Sequence, residues 1–204
     1  METNNLSLII SACFQVALFS AVPFVWWIIT ARKSEGFFSW IGLKKPLVKN
    51  KKALAVWGLC LVVLFVVLSF VTSVVIDRSI TATARFTGEG FKLLAGAFVW
   101  GFIATGLSEE ILFRGFLGKR LIKKLGLNAG NFIQASVFGI IHGAMFFAQT
   151  GIIVAVLLTV LTGFLGWVMG YVNEKHAGGS ILPSWLFHGL SNFAGAVFAL
   201  FIIS

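Results

Sequence analysis

Charged residues are scarce in this sequence. Asp, Glu, Lys and Arg make up 11% of the 204 residues, whereas apolar types make up 58%. An ordinary soluble domain has about 25% charged residues, and a disordered chain combines low hydrophobicity with high net charge. Both classes are excluded, and a mean hydropathy of +0.97 indicates an integral membrane protein.

Cysteines and acidic residues are rarer still. The two cysteines, Cys13 and Cys60, lie in apolar runs and are predicted to be small core residues rather than a disulfide framework or a metal site. Sixteen basic residues outnumber seven acidic ones, for a net charge of +9. In a membrane protein such an excess is typical of cytoplasmic loops that face anionic lipid. The expected partner is therefore the lipid bilayer and not a nucleic acid.

Long runs without Asp, Glu, Lys or Arg mark the predicted membrane spans. A bilayer core requires about 20 apolar residues. One run, residues 125–173, would form a single helix of about 73 Å, which is far longer than the bilayer core is thick. We therefore expect the chain to turn near Gln149, Thr150 and Gly151. The sequence therefore predicts an all-α, polytopic bundle of about six transmembrane helices. The runs are residues 6–31, 53–76, 93–108, 125–173 and 177–204.

Basic residues predict the orientation of the bundle. Residues 32–52, 119–124 and 173–180 carry seven, four and one Lys or Arg, and the opposite loops carry three. Basic loops stay in the cytoplasm, so we expect a multi-pass protein of the cell membrane with both termini outside. Residues 36–43 resemble an interfacial amphipathic stretch. Residues 1–90 would form two helices with a basic cytoplasmic loop, and 91–204 a four-helix catalytic core, in one compact membrane domain.

A few polar side chains interrupt the predicted spans. A charge at the bilayer centre costs about 2.5–3.5 kcal/mol, so such residues pair inside the bundle or line a wet cavity. Two plainer interpretations remain: a short helix that ends at the interface, and histidines that only pack. The six candidate site residues are Glu109, Glu110, Arg114, His142, His188 and Asn192.

Helical spacing divides these residues into groups. Glu110 and Arg114 are four residues apart and are predicted to form an ion pair, while Glu109 points about 100° away. His188 and Asn192 share a helix face by the same spacing. Counted along the helices from the predicted cytoplasmic ends, Glu109, His142 and His188 lie about 15, 18 and 8–10 Å deep. We therefore expect one polar layer, in the cytoplasmic half and open to the cytoplasm.

This layer has the groups needed for attack of water on an amide. A carboxylate and a neutral imidazole can take a proton from water, and a second His with an Asn amide can stabilise an oxyanion. No Ser or Cys nucleophile with a His base is evident. Glu109, His142 and His188 are candidate ligands for a divalent metal such as zinc, but the His-Glu-x-x-His signature is absent. The use of a metal is left open.

The same residues resemble the CPBP family, also called Abi, which contains CAAX prenyl endopeptidases and bacteriocin-processing intramembrane proteases. The resemblance extends over residues 95–201. The family motifs Glu-Glu-x-x-x-Arg, Phe-x-x-x-His and His-x-x-x-Asn are matched by Glu109, Glu110 and Arg114, by Phe138 and His142, and by His188 and Asn192.

The resemblance implies a role for each residue. Glu109 would activate water that His142 shares, Glu110 and Arg114 would hold the arrangement, and His188 with Asn192 would stabilise the oxyanion. The family's substrates include prenylated proteins and peptide precursors, so the implied partner is a membrane-associated protein or peptide. The alternative is a non-proteolytic immunity protein, or a scaffold that binds another membrane protein.

Overall fold

The helices follow the apolar runs of the sequence. The computed structural model describes residues 4–201, and within this range every regular element is helical, which confirms the all-α prediction. Short 3₁₀ turns between residues 78 and 93 connect the third helix to the fourth. The α-helices are α1 (Asn5–Thr30), α2 (Phe37–Trp40), α3 (Lys51–Val75), α4 (Leu94–Val99), α5 (Lys119–Leu125), α6 (Leu127–Tyr171) and α7 (Leu182–Leu200).

Four of the described helices are long and apolar enough to cross a membrane. They are Asn5–Thr30, Lys51–Val75, Gly90–Leu125 and Leu127–His176. The last of these contains α6 and bends sharply at Gly151 (φ 77°, ψ 177°), where the sequence predicts a turn. The 19-residue α7 is not among the four, and the total of six spans stays a prediction.

The two limbs of α6 fold back on each other as an antiparallel hairpin. Asn131 Nδ2 donates to the Trp167 carbonyl at 2.8 Å, and Gln134 Nε2 donates to the Gly166 carbonyl at 3.2 Å. From one bond to the next, the residue number rises on the limb before Gly151 and falls on the limb after it, as in an antiparallel pair. The hairpin places the middle of the first limb against the centre of the bundle.

The helix Gly90–Leu125, which we call the central helix, contains two π-helical segments that the sequence did not predict. They span Trp100–Leu107 and Glu110–Gly118, between α4 and α5. In a π-helix the hydrogen bonds run from residue i to i+5, so each residue turns less than the 100° of an α-helix. Such segments are frequent at functional sites, and these two flank Glu109.

Glycines in the π segments allow very close packing. A Cβ on Gly101 would lie 2.7 Å from the Phe193 nitrogen of α7, and one on Gly115 would lie 2.6 Å from the Ile41 carbonyl oxygen. Any larger residue would therefore push the neighbouring backbone away. α7 packs along the first π segment, and α1 packs on the same segment beside it.

Large apolar side chains cover the outer faces of α1 and α3, as expected of helices that face lipid. The predicted core position of Cys13 is wrong because its side chain is exposed on α1, whereas Cys60 is half-buried. An apolar run places a residue in the membrane, but it does not show whether the residue faces lipid or a neighbouring helix.

Residues 36–47, which we call the cap segment, differ from the predicted interfacial stretch. Trp40 and Ile41 are buried and pack against Ile111 and Ile181, whereas the apolar side chains of Phe38 and Leu47 are largely exposed. Hydrogen bonds attach the segment to the turn before α7. Ile181 N donates to the Gly42 carbonyl at 2.9 Å, Leu47 N to the Ala177 carbonyl at 3.1 Å, and Ser180 Oγ to the Lys44 carbonyl at 2.5 Å.

Candidate active site

The second π segment begins with a fully buried ion pair. Glu110 Oε1 lies 3.1 Å from Arg114 Nη1, and the two side chains are 0% and 1% exposed. This confirms the pair predicted from the spacing of the two residues. A charge removed from water needs such a partner, because the interior alone would not tolerate it.

Glu110 also fixes the orientation of His188. His188 Nδ1 donates to Glu110 Oε1 at 3.1 Å, and Ser184 Oγ donates to the other carboxylate oxygen. Asn173 Nδ2 in turn donates to Ser184 Oγ at 2.7 Å. The carboxylate therefore binds Arg114, His188 and Ser184 at once. Ser184 and Asn173 were missed by the sequence analysis, although Ser184 lies one helical turn before His188 and so shares its face.

Glu109 points away from this network and faces both histidines. Its Oε2 lies 3.9 Å from His142 Nε2 and 3.7 Å from His188 Nε2. This buried oxygen has no hydrogen-bond partner among the described residues. The side chains of His142, Glu109 and His188 are 27%, 15% and 8% exposed. The site is therefore accessible on the side of Glu109 and closed on the side of Glu110.

Hydrogen bonds fix the neutral tautomer of both histidines. His142 Nδ1 lies 2.8 Å from the Phe138 carbonyl oxygen, and His188 Nδ1 lies 3.1 Å from Glu110 Oε1. A carbonyl and a carboxylate only accept, so Nδ1 must carry the hydrogen in each ring. Both Nε2 atoms then present a lone pair towards Glu109.

The Phe138 ring lies between the Arg114 guanidinium and the two histidine rings. Its ring centroid lies 4.1 Å from Arg114 Cζ, 4.2 Å from the His142 ring centroid and 6.2 Å from that of His188. The first distance is that of a cation–π contact. The phenylalanine of the Phe-x-x-x-His motif thus packs beside the imidazole, as its spacing predicts, and it also covers the guanidinium.

Asn192 lies one turn beyond His188 on α7, as predicted, but its contact in the structure is with Thr105. Asn192 Nδ2 donates to Thr105 Oγ1 at 2.8 Å. Thr105 belongs to the first π segment and was not among the predicted site residues. The structure therefore brings the three motifs together across the central helix, α6 and α7.

Comparison with protein families identifies the family of this chain. A family model described as type II CAAX prenyl endopeptidase Rce1-like matches residues 91–194, about half of the chain. The chain belongs to this Rce1-like family. Comparison with curated proteins and with solved structures gave no significant match.

Family membership confirms the resemblance inferred from the three motifs. Membership in the Rce1-like family supports intramembrane endopeptidase activity of the CAAX type. All six candidate residues fall inside the matched range, whereas α1, the cap segment and α3 precede it. The individual roles of the six residues stay predictions.

The candidate metal ligands of this Rce1-like protein do not form a ready metal site. Zinc requires several ligands at about 2.0–2.3 Å from one point. Within residues 4–201, no three His, Cys, Asp or Glu side chains are arranged to hold a metal ion. Glu109, His142 and His188 are close together but do not fit such a site, so the chemistry below uses only protein groups and water.

Proposed function

We propose that this protein is an intramembrane endopeptidase that hydrolyses a peptide bond by means of a water molecule activated by Glu109 and His142. The observation that supports this proposal is the unpaired, buried Oε2 of Glu109, which faces the Nε2 atoms of two histidines. The oxygen without a partner and one of the two nearby histidine acceptors together favour a molecule with two hydrogens to donate. Water fulfils that condition and is also the reactant of hydrolysis.

Glu109 acts as the general base in this proposal. It removes a proton from the water as the oxygen attacks the scissile carbonyl carbon, while the lone pair of His142 Nε2 orients the second hydrogen. The proton then passes to the leaving amine. Glu110 does not take part in this transfer, because Arg114, His188 and Ser184 occupy its oxygens.

His188 and Asn192 stabilise the oxyanion. Because Nδ1 of neutral His188 carries the hydrogen, Nε2 becomes a donor only when the ring is protonated. Glu110 and Glu109 lie 3.1 and 3.7 Å from its two nitrogens, so two carboxylates would balance the charge when the ring takes up a proton during the reaction. Asn192 supplies an amide N–H one turn further along α7. Removing a donor of this kind lowers kcat about 10²–10³-fold.

The substrate in this proposal is a membrane-associated protein or peptide precursor. The reactive groups lie among apolar helices, and their accessible side is the one that exposes His142. A substrate must therefore bring its scissile bond into the bilayer region. We propose that it enters from the cytoplasm, as the basic loops indicate.

The experiment compares the membrane peptides of cells that contain the wild-type protein with those of cells that contain Glu109→Gln. Glutamine has the same shape as glutamate but cannot accept the proton. We expect the cleaved peptides to disappear in the variant, and purified variant to lose about 10²–10⁴-fold in rate on the identified peptide. Glu89→Gln is the matched control, because the Glu89 side chain is partly exposed and forms a surface ion pair with Lys92.

Two outcomes contradict the proposal. Purified Glu109→Gln that cleaves the peptide at the wild-type rate shows that Glu109 is not the base. A Glu109→Gln strain that keeps the full cellular phenotype, with unchanged membrane peptides, favours the immunity or scaffold function instead.

A further inference from the structure

Thr105 has no role in the proposal so far, yet it is in direct contact with a candidate oxyanion donor. Its hydroxyl oxygen accepts a hydrogen bond from Asn192 Nδ2 at 2.8 Å. The same oxygen lies 3.0 Å from the Trp100 carbonyl and 3.1 Å from the Gly101 carbonyl. A hydroxyl has one hydrogen, and carbonyls only accept. The hydrogen of Thr105 is therefore used within its own helix.

This arrangement determines which end of the Asn192 amide faces Thr105. A hydroxyl that has already donated its hydrogen can only accept, so it selects the NH₂ group and rejects the amide oxygen. One N–H of Asn192 is held in this bond, and the geometry of the planar amide then fixes the direction of the second N–H. Without the hydroxyl, the amide could turn by 180° and present its oxygen instead.

The π-helical backbone and two glycines bring the partners together. The contact from Thr105 to Trp100 spans five residues, which is the hydrogen-bond spacing of a π-helix. Gly101 and Gly106 flank Thr105, and Cβ atoms there would lie 3.2 Å from the Gly189 carbonyl oxygen and 3.3 Å from Gly189 Cα. α7 therefore packs against this part of the helix at backbone distance, within reach of a short threonine side chain.

We propose that Thr105 is a positioning residue for Asn192, which directs the free amide N–H towards the oxyanion. The inference rests on the proposed peptidase function. An oxyanion donor acts only when it is already aimed at the developing charge. Loss of the Thr105 hydroxyl should therefore lower the rate of the chemical step and leave substrate binding largely unchanged.

The test compares Thr105→Val, Thr105→Ser and Asn192→Ala on the peptide identified above. We expect Thr105→Val to lower kcat about 10-fold or more with little change in KM, and Thr105→Ser to restore most of the wild-type rate. In the Asn192→Ala background, Thr105→Val should cause no further loss. Thr162→Val is the matched control, because the buried Thr162 hydroxyl donates to the Leu158 carbonyl of its own helix and bonds no other helix within residues 4–201.

A second measurement does not depend on activity. Melting temperatures of the two single variants and the double variant in detergent form a double-mutant cycle. Non-additive shifts are expected if Thr105 binds Asn192. Wild-type kcat in Thr105→Val, or rate losses that multiply in the double variant, overturn the inference. If the wild-type protein is no more active than Glu109→Gln, the proposed function is overturned instead. In that case the melting temperatures still test the contact, because additive shifts would show that Thr105 does not bind Asn192.

Discussion

Arg114 is a cation with almost no access to water, and Glu110 is the one acid at ion-pair distance from it in the part of the chain that the structure describes. Removal of one partner of a buried pair leaves an uncompensated charge and typically costs about 3–5 kcal/mol. We therefore expect Arg114→Ala to lower the yield and the melting temperature in detergent. Lys92→Ala is the control, since its pair with Glu89 lies at the surface and such pairs contribute little.

The same prediction has a compensating variant. Removing both charges leaves no uncompensated ion, so Glu110→Gln combined with Arg114→Met, in which the amide oxygen can still accept a hydrogen bond from His188 or Ser184, should melt above Arg114→Ala alone. An Arg114→Ala protein with wild-type thermal stability would show that the pair is hydrated or absent in the membrane.

At the level of single residues, the charged residues of the site could be predicted from the sequence, whereas the hydroxyl groups that contact the site could not. Glu109, Glu110 and Arg114 stand out in an apolar run because each charge is costly there, and helical spacing then separates Glu109 from the other two. A serine or threonine costs far less in a helix of this kind. The presence of Thr105 or Ser184 is therefore not a signal, and their contacts depend on how α7 packs on the central helix.

At the level of elements, the contact of α7 with the first π segment depends on glycine. A Cβ at Gly101 would lie 2.7 Å from Phe193 N and 3.0 Å from Phe193 Cα. Backbone atoms cannot rotate away, so Gly101→Ala should shift α7 and destabilise the protein by about 1–3 kcal/mol. Because His188 and Asn192 lie on α7, we expect peptidase activity to fall as well.

The control for this variant is Gly36→Ala. Gly36 has no atom within 4 Å of its Cβ position, and its φ of −68° suits any residue. Melting curves in detergent and peptide cleavage provide the two measurements. Equal melting temperatures for Gly101→Ala and wild type would show that α7 is not held at this distance.

Charged residues marked the ends of α1 and α3 to within two residues, but Glu109 and Glu110 lie inside the helix Gly90–Leu125 and do not end it. The sequence also predicted the break at Gly151, since one helix through that run would be too long for a bilayer. The π segments could not be predicted, because apolar residues continue through them without a change of pattern. The burial of Trp40 and Ile41 depends on a surface formed by distant helices, which a local pattern does not contain.

At the level of the whole molecule, the orientation in the membrane is a prediction from charge alone. The loops assigned to the cytoplasm contain 12 Lys and Arg, and the opposite loops contain three. Reporter domains fused after Lys49 and after Glu89 should lie on opposite sides, with Lys49 in the cytoplasm. Two reporters on one side, or the reverse orientation, would contradict this topology and with it the proposed entry of substrate from the cytoplasm.

The attachment of the cap segment to the turn before α7 has a consequence for biosynthesis. Lys44 and Ser180, which share a hydrogen bond, are 136 positions apart in the chain. At about 5–20 residues per second, a ribosome needs roughly 7–27 s to make the stretch between them. During that time Trp40 and Ile41 lack the part of their burying surface that Ile181 supplies. The cap segment is synthesised well before α7 but is buried only after α7 has been made, and we expect a nascent chain stalled before α7 to be an early target of membrane quality-control proteases.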